Sequence, residues 1–316
     1  MPQGTSRPAG RVLIVGSIAL DDVSTPFGEV TEALGGAAVY SAFAASLCAP
    51  VDVVGVVGED FPEAHLERLR AHGVDTRGVE IVRGGRTFRW GGRYQGDMEE
   101  AITHFTALNV FEGFHPVIPD SYRDDEVVFL ANIHPALQLE VLRQVRRPRL
   151  VLCDTMNYWI QQERELLLEV LQRVDVALMN ASEARQLFET ESLPKAGVEL
   201  VRLGLKRAVI KKGEHGVLMF SPDGFFATPA VPLESVLDPT GAGDTFAGGV
   251  AGYLARRRTV DEATLRQAVV LGTALASFVV EDFSTRRLEG VDAPQLERRC
   301  GRIIQSMAVG PLSLAE

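Results

Sequence analysis

The sequence predicts an α/β domain with a mostly parallel sheet, helices on both faces and a small β lid. Three observations predict it. From residue 126 onward, short β-branched runs alternate with longer helical stretches, and such units close into a parallel sheet through right-handed crossovers. Residues 11–19 (RVLIVGSIA) are also a β-branched run closed by Gly16-Ser17, as a buried first strand is. Finally, residues 86–94 (RTFRWGGRY) alternate aromatic and polar side chains and 103–106 (THFT) continue with β-formers, the material of a small separate sheet.

Bulk properties narrow the function. The chain has 316 residues, enough for one large α/β domain or two small ones. Its apolar fraction of 46% and charged fraction of 23% are those of an ordinary globule. A net charge of −10 argues against a nucleic-acid partner, so a phosphate site must be built from local amides and a metal. Three cysteines, Cys48, Cys153 and Cys300, lie far apart, which fits a reduced, cytoplasmic setting without a disulfide framework. No apolar run is long enough to span a bilayer, so no membrane partner is expected. Residues 1–10 are polar and carry Pro and Gly; they read as a flexible tail ahead of a domain at 11–316.

In chain order, Asp21 and Asp22 follow the first strand at its carboxyl end, where ligands gather in open α/β sheets. A solvated loop is the plain alternative. Residues 23–34 alternate around Pro26 and Gly28 and read as one lid segment. Gly35 and Gly36 then open an Ala-rich helix carrying Tyr40. They suit either a ligand-binding helix N-terminus or close packing of helix on sheet. A strand at 51–57 and an amphipathic helix at 61–72 follow. The second lid segment spans about 86–110; Phe88, Trp90 and Tyr94 share one face by their spacing. That face is either packing or a cover over a flat part of a substrate.

Strands are expected at 126–131, 149–153, 175–179 and 207–211, with helices at 135–145 and 159–173 between the earlier ones. Asn132 and Asp154 end two of these strands. Asn180-Ala181-Ser182-Glu183 spells a capping box, with Asn as N-cap and Glu three residues on. In 207–216 (RAVIKKGEHG) a strand turns at Lys212, Gly213 and Gly216 into another at 217–220; a bare hairpin is the alternative. Helices at 260–280 and 293–307 complete the chain.

The most informative stretch is 238–246 (DPTGAGDTF). Asp-Pro starts a turn, and Gly241 and Gly243 leave backbone amides uncovered. The Ala-, Phe- and Val-rich sequence from Asp244 reads as a buried helix. A glycine loop feeding a helix N-terminus aims free N–H groups and the positive dipole end at one spot, where an anion is favoured. Binding an anion does not need Asp244, because like charges repel. Moving a phosphoryl group onto a hydroxyl does, because something must take the hydroxyl proton. A turn followed by an Asp N-cap is the plain reading of any single Gly-x-Gly-Asp; the nine-residue string is far more specific.

That string resembles the signature of the ribokinase-like (PfkB) carbohydrate kinases, and the resemblance runs from about residue 11 to 307. It implies a ribokinase-like three-layer α/β/α domain with a small β lid. It implies ATP-dependent transfer of the γ-phosphate to a hydroxyl of a sugar or sugar derivative. Residue by residue, it implies Asp244 as the base and an anion hole from Gly241, Ala242 and Gly243, with the amides of Ala242, Gly243 and Asp244 holding the charge. Asp21, Gly35, Gly36 and Tyr40 would surround the acceptor. Lys212, Gly213, Gly216 and Thr240 would face the nucleotide, and Asn180 and Glu183 a hydrated Mg²⁺. The resemblance further implies a monovalent-cation (K⁺) loop past the signature, where Thr273 and Ser284 are candidates. Ala19 and Tyr40 stand where the family often has Asn residues on the sugar. With the aromatic lid, this makes a nucleoside kinase (adenosine- or cytidine-like) the alternative, and a catalytically idle ligand-binding regulator the alternative of another class. A homodimer through the lids is expected, because isolated two-stranded arms are marginal.

Other chemistries lack their motifs. There is no Gly-x4-Gly-Lys-Ser/Thr, no Gly-x-Ser-x-Gly and no zinc spacing among the six histidines.

Overall fold

The computed structural model describes residues 10–310 except 97 and 99. Apart from Gly10, the tail expected at 1–10 lies outside them. In chain order the strands are β1 (Val12–Val15), β2 (Ala19–Thr25), β3 (Gly28–Gly35), β4 (Val51–Gly58), β5 (Val74–Val82), β6 (Phe88–Arg93), β7 (Ile102–Ala107), β8 (Val127–Leu130), β9 (Leu150–Asp154), β10 (Val176–Asn180), β11 (Arg207–Lys211), β12 (Val217–Ser221) and β13 (Gly224–Thr228). The helices are α1 (Ala37–Ser46), α2 (Glu63–Ala71), α3 (Pro135–Gln144), α4 (Asn157–Gln162), α5 (Arg164–Leu171), α6 (Ala181–Leu187), α7 (Leu193–Arg202), α8 (Ala242–Arg256), α9 (Glu262–Val279), α10 (Arg286–Glu289) and α11 (Ala293–Met307).

Nine strands form the central sheet in the order β13-β12-β11-β10-β9-β8-β1-β4-β5. From β11 to β5 every pairing is parallel, while β12 and β13 return antiparallel. Residues of β1, β4 and β8 are buried at every position because helices cover both faces. Successive side chains of β1 serve opposite cores. Val12 and Ile14 join the core under α1, α8 and α9; Leu13 and Val15 join the one under α3, α5 and α7.

One packing detail positions the site. A Cβ on Gly248 would lie 2.2 Å from Ser41 O, and one on Gly252 2.6 Å from Ala45 O, so α1 and α8 touch backbone to backbone. The contacts rise together along both helices. The helices therefore run parallel and present their N-termini side by side.

The lid is larger than the two-stranded arm expected. Its sheet has four strands in the order β3-β2-β6-β7. The first strand stops at Val15, and Ala19–Thr25 is already lid, so Asp21 sits within a lid strand rather than at the end of the first sheet strand. Ser17 explains the break: its Oγ and carbonyl accept from Ala37 and Ala38 N–H, drawing the chain from the sheet to the start of α1. The expected 159–173 helix is two helices, divided at Glu163. The aromatic stripe is divided as well, by a register shift between Gly91 and Gly92. Phe88 stacks on Phe111, whereas Trp90 and Tyr94 pack with Val23 and Phe283.

Candidate active site

The signature loop is held from below and behind. Asp238 is 1% exposed; its Oδ1 accepts from Thr240 N at 2.9 Å and its Oδ2 from Ser284 N at 3.3 Å. Gly241 then turns left-handed at φ 75° and becomes the N-cap of α8. Only glycine fits, because a Cβ there would meet the Tyr40 ring at 2.4 Å. Tyr40 is thus the floor of the loop, 2% exposed and packed against Val279, Val280 and Ala242. Burial, then Asp21 and Asp238, raise its hydroxyl pKa well above the ordinary value.

Among the described residues, the N–H groups of Gly241 and Gly243 have no acceptor. Ala242 N–H closes a turn onto Pro239 O at 3.2 Å, whereas Asp244 N–H, like those of the two glycines, has no backbone acceptor. Of the amides expected to hold the charge, those of Gly243 and Asp244 are open and Gly241 adds another, while the turn that starts α8 consumes that of Ala242.

Asp244 occupies the first turn of α8, and its backbone carbonyl accepts from Ser41 Oγ at 3.0 Å. Burial, with the Asp154 charge adding to it and Lys211 opposing, pushes its carboxyl up to about 7. Asp154 and Lys211 end the parallel strands β9 and β11, on either side of β10. Lys211 Nζ donates to Asp154 Oδ2 at 2.6 Å, and their side chains are 16% and 3% exposed. Burial lowers the Lys211 pKa, but Asp154 and Glu183 outweigh it and hold the ammonium above its ordinary range. A Cβ on Gly243 would stand 3.1 Å from Lys211 Nζ, which places this cation against the anion loop.

Asn180 and Glu183 form the expected capping box, and more. Glu183 Oε2 accepts from Asn180 N at 2.6 Å and Oε1 from Asn180 Nδ2 at 2.8 Å, while Asn180 Oδ1 accepts from Glu183 N at 2.7 Å. Burial first, with Lys211 opposing and Asp154 reinforcing, pushes Glu183 up to about 7. Lys212, Gly213 and Gly216 shape a tight turn beyond β11, where Lys212 N–H donates to Gly216 O at 2.8 Å. The ammonium brought into the cluster is that of Lys211, one residue earlier.

On the acceptor side, Gly35 and Gly36 build a seat for Asp21. A Cβ on Gly35 would lie 1.8 Å from Asp21 Oδ2. The Asp21 carboxyl pKa rises to about 8, mainly by burial, then by the charge of Asp238, with the Gly36 amide opposing. The glycines thus position Asp21. From the lid, Thr240 Oγ1 donates to the Tyr94 hydroxyl at 3.3 Å, tying the lid to the anion loop.

Sequence reasoning missed Lys211, the bracing role of Asp238 and the Tyr94–Thr240 contact. A signal for the first was present: a lysine closing the apolar run RAVI at the carboxyl end of a parallel strand. The other two depend on long-range contacts that no local pattern reports.

A loop of open amides at a helix N-terminus, with a buried carboxylate beside it and a lid tied to it, is an arrangement suited to moving a phosphoryl group. Residues 12–289 match the model of the pfkB family carbohydrate kinases, and the chain belongs to that family. It is a phosphotransferase acting on a hydroxyl group. Among its relatives, the cytidine kinase of Thermococcus kodakarensis is 33% identical over 259 residues, which cover 79% of this chain and 91% of that one. The ribokinase of Lactococcus lactis is 25% identical over 275 residues, 82% and 88% of the two chains. Among solved structures, the Burkholderia thailandensis nucleoside kinase in complex with inosine shares the fold with a TM-score of 0.76 at 19% identity, covering 92% of this chain and 97% of that one.

Proposed function

We propose that the protein transfers the γ-phosphoryl group of ATP to a hydroxyl of a sugar or sugar derivative, with Asp244 as the general base. One observation carries this reading: a buried carboxyl, pushed up to about 7, stands in the first turn of α8 beside the open amides of Gly241 and Gly243. A base poised near neutrality is matched to taking a hydroxyl proton. The acceptor O–H gives its proton to Asp244 as its oxygen bonds to the γ-phosphorus, and the bond from that phosphorus to the ADP oxygen breaks. The N–H groups of Gly241 and Gly243 stabilise the charge on the transferring group. Asp21 orients the acceptor, and closure of the lid through Tyr94 and Thr240 keeps water from competing.

Among the described residues no three acids, histidines or cysteines form a metal cage. That suits Mg²⁺, which is commonly held by one or two carboxylates, waters and substrate phosphates. Glu183, fixed by Asn180, is the carboxylate for it, and the ion would neutralise phosphate charge. Of the two hydroxyls noted past the signature for K⁺, Thr273 Oγ1 donates to Val269 O and Ser284 Oγ to Leu34 O, which leaves their lone pairs free. No step is assigned to that ion.

A nucleoside is the second acceptor reading. The half-buried Trp90 and buried Tyr94 offer flat surface on the lid, and the relative at 33% identity is a cytidine kinase. A homodimer through the lids is supported by the outer strand β7, where Ile102 and Phe105 are exposed. A cytoplasmic setting is supported by the free cysteines Cys48, Cys153 and Cys300; no helix of the described residues is long and apolar enough to cross a membrane. The test is a panel of adenosine, cytidine, inosine, ribose, fructose and 2-keto-3-deoxygluconate, read as Mg²⁺- and ATP-dependent ADP release. A sugar that outperforms every nucleoside supports the first reading, and the reverse supports the second. Tight acceptor binding without any ADP release would overturn the kinase assignment.

A further inference from the structure

Lys211 has no task in the scheme above, yet its placement is costly. It is the cation acting on Asp244, Asp154 and Glu183 alike. A buried ion pair contributes little net stability, because desolvating both charges offsets their attraction. An ammonium against a helix N-terminus is also unfavourable, since both are positive. Lys211 Nζ nevertheless lies 3.1 Å from the Cβ position of Gly243, in the first turn of α8. Among the described residues Asp154 is its hydrogen-bonded partner, and the charges of Glu183 and Asp244 act on it from farther away. An ammonium has three N–H donors, and among the described residues Lys211 Nζ makes one hydrogen bond, to Asp154 at 2.6 Å. An anion standing between the ammonium and the open amides of Gly241 and Gly243 would remove the repulsion and take up the unspent donors.

We propose that Lys211 is a catalytic residue that contacts the γ-phosphoryl group of ATP, and that Asp154 is the positioning residue holding its ammonium over the anion loop. This rests on the kinase reading. The contact forms on the group in transfer, so it tightens as charge moves onto the phosphoryl oxygens. ADP, which lacks that group, does not make it.

The experiment compares the affinities of ADP and of the non-hydrolysable β,γ-imido analogue of ATP, by calorimetry with Mg²⁺, in the wild type and in Lys211→Met. The expected result is a loss of at least about tenfold for the analogue, a change within about twofold for ADP, and a fall in kcat of at least about a hundredfold. Retained ADP affinity also reports that the variant is folded. If Lys211→Met does not fold, Lys211→Arg keeps the charge but places a planar fork where a compact ammonium fits. It is expected to keep ADP affinity and lose at least about fivefold for the analogue. An unchanged analogue-to-ADP ratio in an otherwise active background overturns the role of Lys211 alone. A wild type that binds neither nucleotide, or releases no ADP with any acceptor, overturns the kinase reading and this proposal with it.

Discussion

Replacing Asp244 by asparagine removes the proposed base while keeping its size, and the wild-type pH profile is the companion measurement. Burial and the Asp154 charge raise the Asp244 carboxyl, Lys211 lowers it, and the balance is about 7. The sign follows from the chemistry: only the carboxylate can accept the hydroxyl proton, so activity is lost on the acid side. For a group titrating near 7, the carboxylate fraction is about 9% at pH 6 and about 91% at pH 8, so kcat/KM should climb about tenfold between them. An ordinary carboxylate, titrating near 4, would leave this interval flat. Glu183 also stands near 7, so the profile alone does not isolate Asp244. The asparagine variant does, and at pH 8 it should lose at least about a hundredfold in kcat. The assay is the initial rate of ADP release at subsaturating acceptor and constant ionic strength. A flat wild-type profile from pH 6 to 8, or an asparagine variant within about tenfold of wild type at pH 8, would refute the assignment.

Three further outcomes are expected. Asp21→Asn should weaken acceptor binding and yet stabilise the fold at high pH. The folded carboxyl sits at about 8 and its unfolded counterpart near 4, so the native state holds the proton more tightly and wild-type stability falls as pH rises through that window. In urea unfolding the variant should gain about 2–4 kcal/mol over wild type on going from pH 5 to pH 8, and a constant difference would contradict the burial argument. Gly241→Ala forces a side chain onto φ 75° and into the Tyr40 ring, so it should lose about 2–4 kcal/mol in thermal or urea unfolding together with most turnover. Tyr94→Phe removes the 3.3 Å contact with Thr240 at little structural cost. It should raise the acceptor KM by about two- to tenfold while ADP affinity stays constant, as loss of one neutral hydrogen bond implies.

What the sequence reveals here follows the range of each interaction. Helix α11 begins at Ala293 and ends at Met307 as read, because a capping box and an amphipathic period are local signals. The alternation β8–α3–β9 was legible for the same reason. The boundary between sheet and lid was not. Ile18 to Leu20 resume the apolar character after Gly16-Ser17, and what marks Ala19 onward as lid is pairing with β6, some seventy residues away. The site divides in the same way. Gly241, Gly243 and Asp244 stand out because turn, amides and carboxylate are contiguous. Lys211 stayed hidden behind its neighbour Lys212, since only strand register decides which of two adjacent lysines turns toward β9.

The two halves of the site rest on different parts of the fold, and a short chain of hydrogen bonds joins them. Asp154, Asn180 and Lys211 end strands of the rigid sheet, whereas Asp21 belongs to lid strand β2 and is seated where β3 passes into α1. Ser284 Oγ donates to Leu34 O, next to that seat, at 2.5 Å, and Ser284 N donates to Asp238. Asp238 also receives Thr240 N, and Thr240 Oγ1 reaches back to Tyr94 on the lid. Ser284 sits at φ 58°, a strained conformation for a residue with a side chain, tolerated because both its hydroxyl and its amide are held. The base of the lid, the anion loop and the far end of the lid are therefore one circuit. If the lid lifts, Tyr94 leaves Thr240, and the anion loop loses one of the bonds that shape it. In the proposed mechanism, closing over an acceptor and firming the phosphate loop would be the same event, which would tie proton removal at Asp244 to the presence of a hydroxyl rather than of water.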